Sequence, residues 1–171
     1  MTVTCRPATA ADLNAVAEVR IRTWQHAFRG IVPQAYLDGL SPAAEADRRR
    51  ARFPGPPGQH VAEVGGRVVG WAVVGPYRAD HGDAPAPGCG EVNAIYVLPD
   101  RWGQGIGRAL MAYALGDLRR QGLAPVLLWV LAANDRARRF YQRAGFRPDG
   151  ATHDFEIGGG TLPEVRYRHD G

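Results

Sequence analysis

The sequence contains little cysteine, and its cysteines are not spaced to bind a metal or to form a disulfide framework. Cys5 and Cys89 lie far apart, and neither belongs to a C-x-x-C pair or lies near a histidine cluster. The five histidines occur in unrelated contexts, and no H-E-x-x-H motif is present. We therefore expect no structural disulfide, no structural zinc ion and no catalytic metal.

Long apolar runs are also missing. No stretch approaches the roughly 18 apolar residues that a membrane span needs, and the N-terminus lacks an apolar h-region. Basic residues exceed acidic ones by only 21 to 17, and their charges are spread along the chain. This modest excess favours an anionic small ligand over a nucleic-acid surface, which usually carries a denser basic stripe. We expect a cytoplasmic protein without a membrane or nucleic-acid partner.

The chain has 171 residues and 45% hydrophobic composition, enough for one sizeable core and too little for two. We expect a single domain over residues 1–171. Periodicity and breakers predict the elements in chain order: a strand, two helical regions, an antiparallel hairpin joined by Gly65-Gly66, a long loop, an alternation of strand and helix, and two final strands. The first strand is predicted at 2–6, the two helical regions at 10–29 and 33–52, the hairpin at 61–64 with 67–74, and the long loop at 75–90. The alternation that follows has strands at 91–98 and 125–131 and helices at 106–121 and 134–144, and the final strands are predicted at 146–147 and 162–168. Strand, crossover helix and strand imply a parallel pair, so we predict an α+β fold with a mixed sheet.

Glycines occupy positions 103, 105 and 107, directly after the strand predicted at 91–98 and at the start of the next helix. Alternate glycines let the backbone approach a ligand, and a helix N-terminus attracts anions, so this turn is suited to a pyrophosphate. A Rossmann fingerprint fails because G-x-G-x-x-G is incomplete, and a Walker A loop fails because no Gly-Lys-Ser/Thr follows. From spacing alone, a tight strand-to-helix turn without a ligand remains an alternative.

Two segments carry a family resemblance. Residues 91–110 resemble motif A of the GCN5-related N-acetyltransferase (GNAT) family, and residues 134–146 resemble its motif B, Asn-x-x-Ala-x-x-Phe-Tyr-x-x-x-Gly-Phe. The first helix, with Trp24 and Phe28, resembles the N-terminal part of many small bacterial-type members. The resemblance implies a GNAT-like fold, with a central twisted mixed sheet of about six or seven strands flanked by about four helices. Trp102 departs from the family pattern, which usually has Gln or Arg there, so the grip on phosphate must come mainly from backbone amides.

The resemblance further implies acetyl-coenzyme A as co-substrate, with its pyrophosphate on the glycine turn and its pantetheine arm paired with the preceding strand. In the family an asparagine at position 134 contacts the pantetheine or pyrophosphate, and its chemistry also makes it a good helix N-cap. The cofactor-binding residues implied in this way are Ile95, Tyr96, Val97, Gly103, Gln104, Gly105, Ile106, Gly107, Arg108 and Asn134.

The implied reaction is direct transfer of an acetyl group to a primary amine in a ternary complex. An alkylamine with a pKa of about 10 must lose a proton before it attacks a thioester, so a base is required. Glu91 lies at the strand position that carries the base in some family members; a solvent-exposed glutamate at a strand start is the alternative. Tyr141 matches the motif B tyrosine that protonates the departing sulfur, and Phe140 is expected to face the core beside it. Two core aromatics are the alternative there.

The acceptor is not encoded in any motif. Its pocket is expected to lie between the first two helices, the loop over 75–90 and the hairpin after Phe146. A small-molecule or peptide amine is expected, which leaves antibiotics, polyamines, amino acids, protein N-termini and lysines open, as well as oxygen acceptors. Some family members dimerise, so a homodimer is an open expectation. A non-catalytic acyl-coenzyme A-binding or sensor module is the alternative function.

Overall fold

The fold is given by a computed structural model that describes residues 2–79 and 87–171. These residues form seven strands and five α-helices. The helices are α1 (Leu13–Ala27), α2 (Gln34–Asp38), α3 (Pro42–Ala51), α4 (Ile106–Arg120) and α5 (Asp135–Arg143). The strands are β1 (Thr4–Pro7), β2 (Gln59–Val64), β3 (Arg67–Pro76), β4 (Gly90–Val97), β5 (Val126–Leu131), β6 (Arg147–Ile157) and β7 (Gly160–His169).

All seven strands belong to one mixed sheet with the order β1-β2-β3-β4-β5-β7-β6. Only β4 and β5 are parallel neighbours, and the crossover between them contains α4. The predicted α+β class and mixed sheet are therefore confirmed, and so is the antiparallel hairpin of β2 and β3. The helical region predicted over 33–52 is divided into α2 and α3, because Ser41 caps a new helix and Pro42 occupies its first turn.

Helices cover both faces of the sheet. On one face α4 buries Leu110, Met111 and Leu118, and its last two turns share a cluster with Leu128 of β5. Complete burial of a side chain such as Leu118 stabilises the fold by about 1.5–3 kcal/mol. On the other face Leu37 of α2 packs with β5 and β6, and α1 lies against β3 and β4. The cleft described below is therefore bordered by helices on both sides of the sheet.

The strand that differs most in length from its prediction is β6. The sequence predicts a strand only near 146–147, whereas β6 continues through Ile157 and pairs with β7 along most of its length. Pro148 and Gly150 are typical of a loop, but beyond them Ala151, His153 and Phe155 alternate with exposed residues as a half-buried strand does.

The predicted loop over 75–90 begins later than expected, because β3 continues through Pro76 and β4 already begins at Gly90. Residues 80–86 of that prediction lie outside the described residues. In the part of the chain that the structure describes, none of the helices is both long and apolar enough to cross a bilayer.

Candidate active site

A cleft opens where β4 and β5 separate. The two strands pair only at their starts, Gly90 with Val126 and Glu91 with Leu127, and the space beyond has a volume of about 910 Å³. Every predicted catalytic and cofactor-binding residue lines this cleft, together with side chains from α1, α5 and β7. The amide nitrogen of Asn93, Nδ2, is buried there without a hydrogen-bond partner. A buried donor without a partner indicates that the cleft accommodates a polar ligand.

The backbone of β4 presents alternate residues to the cleft. The N–H of Leu98 donates to the carbonyl of Val69 on β3, and both backbone groups of a residue in an antiparallel ladder point to the same side. By alternation the backbone groups of Tyr96 also point to β3, whereas those of Ile95 and Val97 point to the cleft. Of the three residues expected to pair with pantetheine, Ile95 and Val97 thus present backbone groups to the cleft, whereas Tyr96 presents its side chain.

The glycine turn forms an anion cradle at one end of the cleft. Gly105 is the N-cap of α4 with a φ of 81°, a conformation that glycine adopts at little cost, and no side chain caps the helix. The first helical bond runs from Ala109 to Gly105, so the N–H groups of Ile106, Gly107 and Arg108 have no partner within the helix. Three such groups at the positive end of a 15-residue helix are donors suited to phosphate oxygens.

Trp102 connects this cradle to its surroundings. Its indole N–H donates to the carbonyl of Val97 at 2.7 Å, and the ring of His26 meets it edge-on at 5.0 Å between centroids. The guanidinium of Arg136 lies 3.9 Å from the centre of the Trp102 ring. The residue that departs from the family pattern therefore fastens the turn to β4, and it stacks against a cation of α5.

Positive charge is concentrated along the cleft. Five arginines line it: Arg101, Arg108, Arg136, Arg139 and Arg143. Among the described residues, only Arg101 of these five has an acidic partner, Asp100 at 3.5 Å. Cations without acidic partners favour a ligand with several negative charges.

Glu91 lies at the opposite end of the cleft, on the face of the sheet covered by α1. A bulge in β4 places it there: Ala94 pairs with Val73 but Val92 pairs with Val74, so Asn93 is an extra residue. Without this bulge, strict alternation would place Glu91 on the face covered by α4. Its carboxylate is buried, and it accepts bonds from the backbone N–H and the guanidinium of Arg78, with Oε2 at 3.0 and 3.3 Å respectively.

Tyr141 projects from α5 into the cleft and is largely buried, with Phe146 and Tyr167 around its ring. Burial raises the pKa of its phenol well above the ordinary value, and the charges of Tyr96 and Glu164 act in the same direction. The hydroxyl makes no hydrogen bond to any residue in the described ranges. Phe140 packs against the core, as expected, and it also lines the cleft, beside Gly107.

Asn134 caps α5, as predicted. Its Oδ1 accepts a hydrogen bond from the N–H of Ala137 at 3.1 Å, and the residue is 9% exposed at the wall of the cleft. Because capping uses the oxygen, the amide nitrogen stays available to a ligand.

Sequence reasoning did not find the residues that β5, β6 and β7 contribute. Glu164 and Phe155 line the cleft with Trp129, and His153 lies behind Glu164 with 3.0 Å between Nε2 and Oε2. These residues belong to no local motif, because the pairing of distant strands brings them together. Among the described residues, no group of three His, Cys, Asp or Glu side chains is placed to hold a metal ion.

Known proteins resemble this chain in sequence and in fold. A family model described as "Acetyltransferase (GNAT) family" matches residues 19–146. The uncharacterized N-acetyltransferase YuaI of Bacillus subtilis is 34% identical over 165 residues, which are 95% of this chain and 90% of YuaI.

Two solved structures share the fold. The PaiA N-acetyltransferase of Thermoplasma acidophilum, in complex with coenzyme A, has a TM-score of 0.74 at 17% identity and covers 100% of both chains. YncA of Salmonella typhimurium, solved with its cofactor acetyl-CoA, has a TM-score of 0.71 at 22% identity and covers 99% of this chain and 94% of its own. The predicted fold is thereby confirmed.

Proposed function

The chain belongs to the GNAT family of acetyltransferases, and from this premise we propose that it transfers an acetyl group from acetyl-coenzyme A to a primary amine, directly and in a ternary complex. One observation carries the proposal. The cleft between β4 and β5 combines an anion cradle and a group of arginines with the buried carboxylate of Glu91 and the phenol of Tyr141. We also propose that residues 1–171 form a single GNAT domain, since strands from Thr4 to His169 share one sheet.

The residues of the cleft fit coenzyme A. The free N–H groups of Ile106, Gly107 and Arg108 hold the pyrophosphate, and the cations of α5 neutralise the remaining phosphate charge. The amide-rich pantetheine arm lies beside β4 as an added strand, bonded to Ile95 and to the N–H of Val97. The carbonyl of Val97 is already used by Trp102 and by the hydroxyl of Thr23, which lies 3.0 Å away. The amides of Asn93 and Asn134 supply further donors.

Acetyl-coenzyme A supplies an activated acetyl thioester, and the side chains of the cleft manage the protons. The thiol of the departing coenzyme A has a pKa of about 8.5, so the sulfur needs only modest help to depart. Tyr141 gives that help: its raised pKa keeps the phenol protonated at neutral pH, which makes it a proton donor and excludes it as the base that first deprotonates the amine. Free amides of β4 stabilise the negative charge that develops on the carbonyl oxygen. Glu91, already paired with Arg78, organises water at the acceptor end.

Direct transfer is tested by thiol release from acetyl-coenzyme A across a panel of amines, with mass spectrometry of the acetylated product. The chain contains no lysine, so transfer to its own lysine side chains cannot imitate turnover. We expect release only when an amine is present, and no acetyl group on the protein in its absence. Tight coenzyme A binding without turnover of any amine would contradict the proposal and would favour a sensor module.

A further inference from the structure

The cleft contains a second carboxylate that the proposed chemistry does not yet use. Glu164 lies on β7, opposite Leu131 of β5 and His153 of β6. Its side chain is 13% exposed, and Oε2 contacts the Nε2 atom of His153 at 3.0 Å. Its other oxygen, Oε1, makes no hydrogen bond within the described ranges, and Glu164 lines the cleft. One oxygen is thus held in place, and the other is available to a ligand.

Strand pairing places Glu164 on the same face of the sheet as Glu91. Residues that are opposite each other on paired strands share a face, and Leu131, opposite Glu164, packs in the cluster with Leu37 of α2. The charge of Glu164 acts on the phenols of both Tyr96 and Tyr141. Glu164 therefore shares a face of the sheet with Glu91 and lies near enough to Tyr141 for their charges to interact.

The two carboxylates of the cleft differ in their partners. Glu91 accepts from the backbone N–H and the guanidinium of Arg78, so a permanent positive charge balances it. The partner of Glu164 is His153, which carries a charge only when it is protonated. Among the described residues that line the cleft, Glu164 is therefore the carboxylate that no arginine neutralises. An ammonium ion supplies the missing charge.

Aromatic side chains surround this carboxylate. Trp24 and Phe28 of α1 meet edge-to-face, 4.8 Å between centroids, and line the cleft with Phe155 and Trp129. The ring of Trp129 in turn meets His153 at 5.2 Å. Such walls favour an apolar body beside a single cation. A polyamine or an aminoglycoside would bury several ammonium groups, each of which needs its own carboxylate.

We propose that Glu164, held by His153, binds the ammonium group of the acceptor and takes its proton, and that the acceptor is a primary monoamine carried on an apolar or aromatic body. This inference rests on the proposed function, and it gives the first proton a destination. One proton passes from the ammonium nitrogen to Glu164, and the nitrogen lone pair then forms the bond to the acetyl carbonyl carbon. The carbon–sulfur bond breaks, and its electron pair stays on the sulfur. The sulfur then receives a proton from Tyr141. The second nitrogen proton restores Tyr141, while Glu164 releases its proton to solvent.

Electrostatics agree with a base at this position. Burial raises the pKa of the Glu164 carboxyl, and the charge and hydrogen bond of His153 act in the opposite direction. A carboxylate with a raised pKa is a stronger proton acceptor. The titratable groups that interact with it are His153 of β6, Tyr96 of β4 and Tyr141 of α5.

The test compares Glu164→Gln and His153→Gln with a matched control, Glu156→Gln, an exposed glutamate on β6. Calorimetry measures binding of 2-phenylethylamine and of spermidine to protein saturated with coenzyme A, and steady-state kinetics use the same amines with acetyl-coenzyme A. We expect native protein to prefer 2-phenylethylamine over spermidine at least tenfold. Glu164→Gln should weaken 2-phenylethylamine binding and raise its KM by about 10- to 100-fold, the value of a charge-assisted bond, with coenzyme A affinity unchanged.

His153→Gln retains the Glu164 carboxylate but removes the side chain that holds it in place. We therefore expect a smaller loss of amine affinity, about 3- to 10-fold, and an altered pH profile of kcat/KM. Glu156→Gln should behave as native. Native-like amine binding by Glu164→Gln, or no amine binding by native protein, would overturn the inference, and a preference for spermidine would overturn the proposed acceptor class. If amine binding depends on Glu164 but no acetyl transfer occurs, the proposed function fails while the ammonium site stands.

Discussion

Replacing Trp102 separates two ways in which this residue supports the cradle. Trp102→Phe removes the indole N–H bond to Val97 and keeps an aromatic ring for Arg136. The Val97 carbonyl retains its bond from Thr23, so no buried acceptor is left unsatisfied, and the loss is that of one ordinary hydrogen bond, about 1 kcal/mol. If the bond holds the turn in its binding geometry, coenzyme A affinity falls about fivefold. Trp102→Leu also removes the ring, which adds about 0.5–1 kcal/mol, for a total loss of roughly 10- to 30-fold.

The assay is calorimetric titration of coenzyme A, with a double-mutant cycle between Trp102→Leu and Arg136→Ala. The cycle should give a coupling of about 0.5–1 kcal/mol, because the two side chains are in contact. Trp71→Phe is a matched control for Trp102→Phe: it also loses an indole bond, to Gln59, and keeps a ring for a stacked guanidinium, that of Arg49, but residue 71 does not line the cleft. Native affinity in Trp102→Leu, or a loss in Trp71→Phe equal to that in Trp102→Phe, would show that Trp102 does not support the cradle.

Two further predictions concern the cradle and the pH dependence of stability. Gly105→Val should weaken coenzyme A binding more than Arg108→Ala does, because the cradle binds phosphate through backbone amides. A residue with a Cβ is strained at the φ of 81° by about 1–2 kcal/mol or more. A stronger effect of Arg108→Ala in calorimetry would contradict binding through the backbone. Hydrogen bonds from Arg6 lower the pKa of Asp12 to about 2 from an ordinary 3.8, so this carboxylate stabilises the fold above pH 4 and loses its effect as pH falls through 2. Asp12→Asn should therefore lower the free energy of unfolding, measured by urea denaturation, by about 1–2 kcal/mol at pH 7 and by much less near pH 2. The control Asp47→Asn, at an exposed position, should lower it by under about 0.5 kcal/mol. A loss of stability in Asp12→Asn that does not change with pH would contradict this explanation.

Local features of the site were predictable from sequence. The cradle of residues 103–108 and the cap at Asn134 each depend on residues adjacent in the chain, and on glycine and asparagine chemistry that few other residues share. The role of Trp102 was not predictable, because its partners Val97, His26 and Arg136 come from three different elements.

The acceptor side depends on long-range register, and there the sequence is less informative. Strict alternation along β4 puts Glu91 on the same face as Asn93, and only the bulge at Asn93 turns it towards α1. Glu164 and His153 meet because β6 and β7 pair with a register shift between Pro148 and Thr152. The alternation of Ala151, His153, Phe155 and Ile157 was a readable signal for β6, although it does not specify which strand pairs with it.

The proposed function requires that the cleft binds coenzyme A and that Tyr141 acts on the departing sulfur. Both are tested by measuring kcat and coenzyme A affinity in Tyr141→Phe, beside Tyr113→Phe. Tyr113 is a tyrosine of α4 that packs on His60 and does not line the cleft. Tyr141→Phe should lower kcat about 100-fold and leave the dissociation constant of coenzyme A within about twofold of native. Equal losses of turnover and affinity, or a loss of neither, would contradict the account.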